Sequence, residues 1–159
     1  DGVFQQCLIG KADLRSELKR VLPEWKWDKS VDELLENWFH NELNFDQRVL
    51  DVVSKLKSQG ITIYGASNQE HHRAKYLLEN TELKKYINEF FISAHLGVKK
   101  PDLSFYRRIL QDVKVRPEEI AYWDDDMENV KSAKQLGIHG HLYTDFATFQ
   151  TEIQKFFHS

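Results

Sequence analysis

The sequence predicts an α/β fold with a mostly parallel sheet, preceded by a helical segment of different texture. Two observations carry that class. From Asp46 onward, short apolar runs that read as strands alternate with stretches of helical periodicity. Strands joined through helices imply right-handed crossovers between parallel neighbours. The other observation is the stretch Ile120-Ala121-Tyr122-Trp123-Asp124-Asp125-Asp126-Met127-Glu128-Asn129-Val130. It reads as a buried strand ending in three consecutive carboxylates, and ligands of open α/β sheets gather at the carboxyl ends of strands.

In chain order, Asp13 caps a helix running to about Val21, with Leu14, Leu18, Val21 and Leu22 on one face and Pro23 closing it. Ser30 with Glu33 makes a capping-box pattern, and Val31, Leu34, Leu35, Trp38 and Phe39 form the next apolar stripe. Trp25 and Trp27 lie between these helices. They read as aromatic plugs between packed helices, with the lining of a substrate pocket as the alternative. After Asp46, Val49, Val52, Val53 and Leu56 make a helix face that Gly60 stops. Ile61 to Ala66 is a β-branched strand run closed by Ser67 and Asn68. Helices are expected around His71 to Glu79 and Leu83 to Tyr86, then a strand at Phe90 to Ser93. Another helix follows from Asp102 to about Val113, with Leu103, Tyr106, Ile109, Leu110 and Val113 inward. The acidic strand has its own helix, with Val130, Ala133 and Leu136 on one face and Gly137 as stop. Ile138 to Tyr143 is the last strand, and Asp145 caps a final helix carrying Phe146, Phe149, Ile153, Phe156 and Phe157.

The totals narrow the function. A chain of 159 residues, 41% apolar and 30% charged, can bury a core and is not a disordered chain. Net charge −3 and a pI near 6.2 argue against a nucleic-acid or membrane-surface binder, which would show a basic face. The single cysteine, Cys7, excludes a disulfide framework and fits a reducing, cytoplasmic setting. No apolar run approaches the roughly 20 residues of a membrane span.

Three elements at or near strand ends could do chemistry. Carboxylates about 4 Å apart repel by roughly 1 kcal/mol in water and more near a protein interior. The cluster at Asp124, Asp125 and Asp126 therefore calls for a cation, a shared proton or full solvation. Mg²⁺, which takes one or two carboxylates plus substrate phosphate oxygens, suits it. The plainer reading is a helix N-terminus, with Asp126 as N-cap and Asp125 and Glu128 favoured by the helix dipole. Ser67 and Asn68 precede a helix, where a hydroxyl and backbone N–H groups suit a phosphate, or simply cap it. Lys100 sits in Gly97-Val98-Lys99-Lys100-Pro101-Asp102, an exposed loop where it could neutralise phosphate charge. His71 and His72 diverge by about 100° on a helix and make a poor metal pair. His139 and His141, on one strand face, suit a solvated or core-edge role.

Taken together these elements resemble the haloacid dehalogenase superfamily of hydrolases. Ile63-Tyr64-Gly65-Ala66-Ser67-Asn68 is similar to its second motif, whose Ser or Thr binds the transferring phosphoryl group. Gly97 to Asp102 resembles the Lys-Pro-Asp form of its third, placing the family lysine at Lys100. Asp124-Asp125-Asp126-Met127-Glu128-Asn129 resembles its fourth, Asp-Asp-x-x-x-Asn, which holds Mg²⁺. The resemblance spans about Asp46 to Tyr143. It implies a Rossmann-like three-layer core over 46–159 and a small helical cap over 1–45, with Gly10 in a "Gly, then helix" segment common in such caps.

The implied activity is a Mg²⁺-dependent phosphatase acting on a small phosphorylated metabolite through an aspartyl-phosphate. Ser67, Asn68 and Lys100 would hold the phosphoryl group, Asp124 and Asp125 the metal, and Asn129 would orient that loop or Lys100. The family's first motif, Asp-x-Asp, carries the nucleophile and departs from this chain. Asp1-Gly2-Val3-Phe4 resembles the tail of that motif, but the short spacing to Gly10 favours placing Asp1 already in the cap. Either way the nucleophile is expected outside the chain. The family's first strand is central, so either another segment or Val3 to Ile9 should fill its place. Two other readings stand beside the phosphatase: a non-catalytic binding or regulatory module, and a 2-haloacid dehalogenase. The dehalogenase is disfavoured because such enzymes carry Ser and Asn where this chain has Asp.

Overall fold

The computed structural model describes residues 2–158. The chain divides into two compact units, residues 1–99 and 100–159. The first unit opens with helices. Val3–Leu8 is helix α1, so Val3 to Ile9 does not form the strand considered for the central slot. Gly10 turns the chain at φ 68°, where a Cβ would lie 2.5 Å from the Ala94 carbonyl oxygen, so only glycine fits. Helix α2, Leu14–Val21, is capped by Asp13, which accepts from the Ser16 N–H. Helix α3, Val31–Asn41, starts with the expected Ser30–Glu33 capping box. The apolar faces of α1, α2 and α3 meet in a core of Cys7, Leu14, Leu18, Leu22, Leu35 and Phe39. Trp27 packs against this core, whereas Trp25 is 61% exposed.

Helix α4, Gln47–Ser58, leads through Gly60 (φ 87°) to strand β1, Tyr64–Ser67. The strand begins later than the apolar run suggests. Ile63 instead exchanges hydrogen bonds with Asn88, its N–H donating to the Asn88 side chain at 3.0 Å and its carbonyl accepting the Asn88 N–H at 2.8 Å. Helix α5 (His71–Glu79) and the short α6 (Leu83–Tyr86) cross over to strand β2, Glu89–Ile92, which pairs parallel with β1. A turn of helix, α7 (Ser93–Leu96), ends at Gly97 in the left-handed conformation.

The second unit contains helix α8 (Leu103–Val113), a 3₁₀ turn at Pro117–Glu119, strand β3 (Ala121–Asp124), helix α9 (Met127–Gln135), strand β4 (His139–Leu142) and helix α10 (Phe146–His158). Strands β3 and β4 pair parallel, Trp123 opposite His141 and Asp124 opposite Leu142. Phe105, Tyr106, Ile109, Val130, Ala133, Ile138, Phe149 and Ile153 are buried in this unit. The four strands thus form two parallel two-stranded sheets, one in each unit, each linked through helices. No helix among the described residues is long and apolar enough to cross a membrane.

Candidate functional site

Asp124 is the last residue of β3, and its side chain is only 5% exposed. A carboxylate so buried needs donors, and four reach it. Oδ1 accepts from the Asp126 backbone N–H and from Asn129 Nδ2, both at 2.9 Å. Oδ2 accepts from Lys100 Nζ at 2.6 Å and from the Tyr122 hydroxyl. Burial alone would raise the Asp124 carboxyl, but Lys100, Tyr122, Asn129 and the Asp126 N–H hold it below the ordinary carboxylate range. Lys100, expected in an exposed loop, is only 11% exposed. The cause is this ion pair, which draws the ammonium down onto the strand end; the Lys100–Pro101 bond is cis.

Two tyrosines complete the setting. Tyr122 precedes Asp124 by two residues and so shares its strand face. Burial and the contact with Asp124 push its hydroxyl far above the ordinary value. Tyr106 of α8 donates to the Asn129 carbonyl at 2.9 Å and packs edge-on against the Tyr122 ring at 5.7 Å. Burial raises its hydroxyl to about 12. Neither tyrosine figures in the motif reading. The two-residue alternation along β3 signals Tyr122 in retrospect, whereas Tyr106 reads as an ordinary inward helix residue.

Asp125 behaves differently from its neighbour. It is exposed at the mouth of the same turn, while Asp126 caps α9 by accepting the Glu128 N–H at 2.8 Å. With both oxygens of Asp124 filled by protein donors, Asp125 is the carboxylate open to a hard cation. Asn129 Oδ1, buried nearby in sequence, has no hydrogen-bond partner among the described residues. One open carboxylate fits the small protein share that Mg²⁺ takes when phosphate oxygens complete its shell.

In the first unit, Ser67 closes β1 and its hydroxyl accepts from Gln69 Nε2 at 3.1 Å. The loop after it is pinned by fully buried Ser93, which accepts the Gln69 N–H at 3.0 Å. Buried Glu70 caps α5 through the His72 and Arg73 N–H groups. The histidines weighed in the sequence, His71, His72, His139 and His141, have structural partners. His72 pairs with Asp13 at 2.6 Å, and His71 stacks on His95 with ring centroids 5.4 Å apart. His141 stacks on Trp123 at 4.8 Å and lies 3.5 Å from Glu152, while the His139 ring meets Phe156 edge-on at 5.4 Å.

Over residues 9–141 the sequence matches the family of haloacid dehalogenase-like hydrolases. The chain belongs to that family. It is 29% identical over 120 residues to the drimenol cyclase drtB of Aspergillus calidoustus, a match covering 74% of this chain and 23% of that protein. It is 32% identical over 107 residues to the sesquiterpene phosphatase astK of Aspergillus oryzae, covering 65% of this chain and 53% of the relative. The chain thus spans about a quarter of the first of these curated relatives and about half of the second. Among solved structures, a HAD family enzyme of Bacteroides thetaiotaomicron in complex with magnesium and inorganic phosphate shares the fold at TM-score 0.77. That match has 23% identity and covers 92% of this chain and 76% of the other.

Proposed function

We propose that the chain serves a Mg²⁺-dependent phosphatase of this family, acting on a small phosphorylated metabolite. The observation that carries the reading is the buried Lys100–Asp124 ion pair beside open Asp125 at the carboxyl end of β3. An ammonium has three donors, so Lys100 can hold Asp124 and still meet a phosphoryl oxygen. Asp124 fixes the lysine, and Tyr122 and Asn129 fix Asp124. As the resemblance of Ile63 to Asn68 to the family's second motif implies, the Ser67 hydroxyl and Asn68 would contact the phosphoryl group. Asp125 would be the direct metal ligand and Asp124 its neighbour behind it; Mg²⁺ when bound would neutralise phosphoryl charge and align the group for in-line displacement.

In this reading an aspartate carboxylate attacks phosphorus, forming an O–P bond as the ester O–P bond breaks and the alcohol leaves. Water then cleaves the acyl phosphate. That aspartate is assigned to no residue of this chain, and residues 1–45 are read as the helical cap. The phosphatase activity of the Aspergillus oryzae relative and the retained acidic pair support this reading over a dehalogenase.

The test is phosphate release from an aryl phosphate by the full-length protein, with Mg²⁺ affinity measured separately by calorimetry. Asp125→Asn should abolish both. Asp124→Asn should lower turnover yet keep most of the Mg²⁺ affinity, because its oxygens are already held by Lys100, Tyr122, Asn129 and the Asp126 N–H. Mg²⁺ binding without phosphate release would leave the non-catalytic module as the reading.

A further inference from the structure

The first unit contains two cavities that share a wall. The smaller, about 350 Å³, is lined at one end by Asn68 and Gln69, just past the phosphoryl contact Ser67. The larger, about 570 Å³, lies among α1, α2 and α3. Phe4, Leu14 and Trp38 line both, so the two are neighbours across those side chains. Each falls in the size range of small-molecule pockets.

Their chemistry differs from what a sugar would need. In the smaller cavity the charged groups have protein partners, although buried Arg73 Nε has none among the described residues. Glu42 accepts from Trp38 Nε1 at 2.6 Å and pairs with Arg73, whose guanidinium lies over the Phe39 ring at 5.9 Å. Glu70 is held by the backbone N–H groups of α5. In the larger cavity the wall is hydrocarbon, indole and the Cys7 thiol; the single charged residue, Glu17, is paired with Arg20 at 2.8 Å. Hydroxyls buried against the walls of the larger cavity would lose their water partners without replacement, whereas methylenes would gain by leaving water. Val3, Phe4 and Trp25 keep large apolar surfaces exposed at this cavity, at 52%, 43% and 61%.

We propose that the substrate is a phosphate monoester of a long-chain apolar alcohol, whose hydrocarbon runs from Asn68 past Phe4 and Trp38 into the cavity among α1, α2 and α3. This rests on the phosphatase reading above. Water and the ester give the free alcohol and inorganic phosphate, and the alcohol's chain leaves through the side walled by Val3 and Trp25.

Two measurements on the full-length protein test it. For straight-chain alkyl monophosphates from ethyl to dodecyl, below their micelle concentrations, kcat/KM should rise about two- to fourfold per methylene until the cavity fills. A flat series, or glycerol phosphate preferred over the long chains, would overturn the assignment while leaving the phosphatase reading intact. The second measurement needs no catalysis: dodecanol should bind and shift tryptophan emission to the blue, through Trp25 and Trp38. Val3→Asp, at an exposed position that tolerates charge, should weaken dodecanol binding at least tenfold and flatten the chain-length slope. If no ester is hydrolysed, the phosphatase reading fails, and dodecanol binding alone decides the cavity's ligand. No binding of dodecanol by the unaltered protein would overturn the proposal.

Discussion

At the scale of single residues, the site is organised by one saturated carboxylate. Asp124 and Asn129 are visible in the sequence because a strand ends and a helix begins between them, which places both at one turn. The depth of Lys100 is not visible there. A lysine before proline in a loop looks exposed, and only the tertiary pairing with Asp124 buries it. The loop reading makes Lys100→Ala nearly neutral for stability. The observed geometry predicts otherwise: removing the cation leaves a buried carboxylate with only its neutral donors, at a cost of about 3 kcal/mol. The pH dependence follows from the lowered Asp124 carboxyl. Its stabilisation is complete above the unfolded value of about 3.9 and is lost as pH falls through the lower folded value. Urea unfolding of wild type and Lys100→Ala should therefore differ most near neutral pH and converge as pH falls below the ordinary carboxylate range. A gap independent of pH would mean that Lys100 acts through packing alone.

At the scale of elements, most of the helices are legible because caps and apolar stripes are local signals. Asp13, Ser30 and Asp145 each cap the helix expected of them. The less legible pieces are those fixed by distant partners. Strand β1 starts at Tyr64 because Asn88 occupies the backbone of Ile63, and α1 forms where the sequence offers no cap side chain at Gly2. Trp25 and Trp27, indistinguishable in the sequence, separate into a cavity wall and a core residue. The Asp13 cap carries a prediction of its own. Ser16 and then His72 lower its carboxyl to about 2. Asp13→Ala should cost about 1 kcal/mol near neutral pH, measured by thermal or urea unfolding. The contribution of Asp13 is full above the unfolded value near 3.9 and fades as pH falls towards 2. His72→Ala should remove only part of it, since the Ser16 contacts remain. Equal losses from the two substitutions would place the stabilisation in the His72 contact and not in the cap.

At the scale of the whole molecule, each compact unit has its own pair of parallel strands and its own buried side chains. A two-stranded sheet is marginal alone and depends on what packs against it. For β3 and β4 that support is α9, which approaches β4 so closely that Gly140 has no room for a side chain. A Cβ there would sit 3.0 Å from the Val130 carbonyl oxygen and 3.2 Å from Val130 Cγ1. Val130 is itself buried at 1% exposure, so the helix backbone cannot give way without disturbing the core around it. Gly140→Ala should thus destabilise by about 1–3 kcal/mol through overpacking. Its effect on native-state hydrogen exchange tells whether the division into units is also a division in stability. Amides of Ala121–Asp124 and His139–Leu142 should exchange faster in the variant, roughly tenfold for each 1.4 kcal/mol lost. If the units open separately, amides of Tyr64–Ser67 and Glu89–Ile92 should keep their wild-type rates. Uniform acceleration across all four strands would show instead that the chain unfolds as one cooperative body.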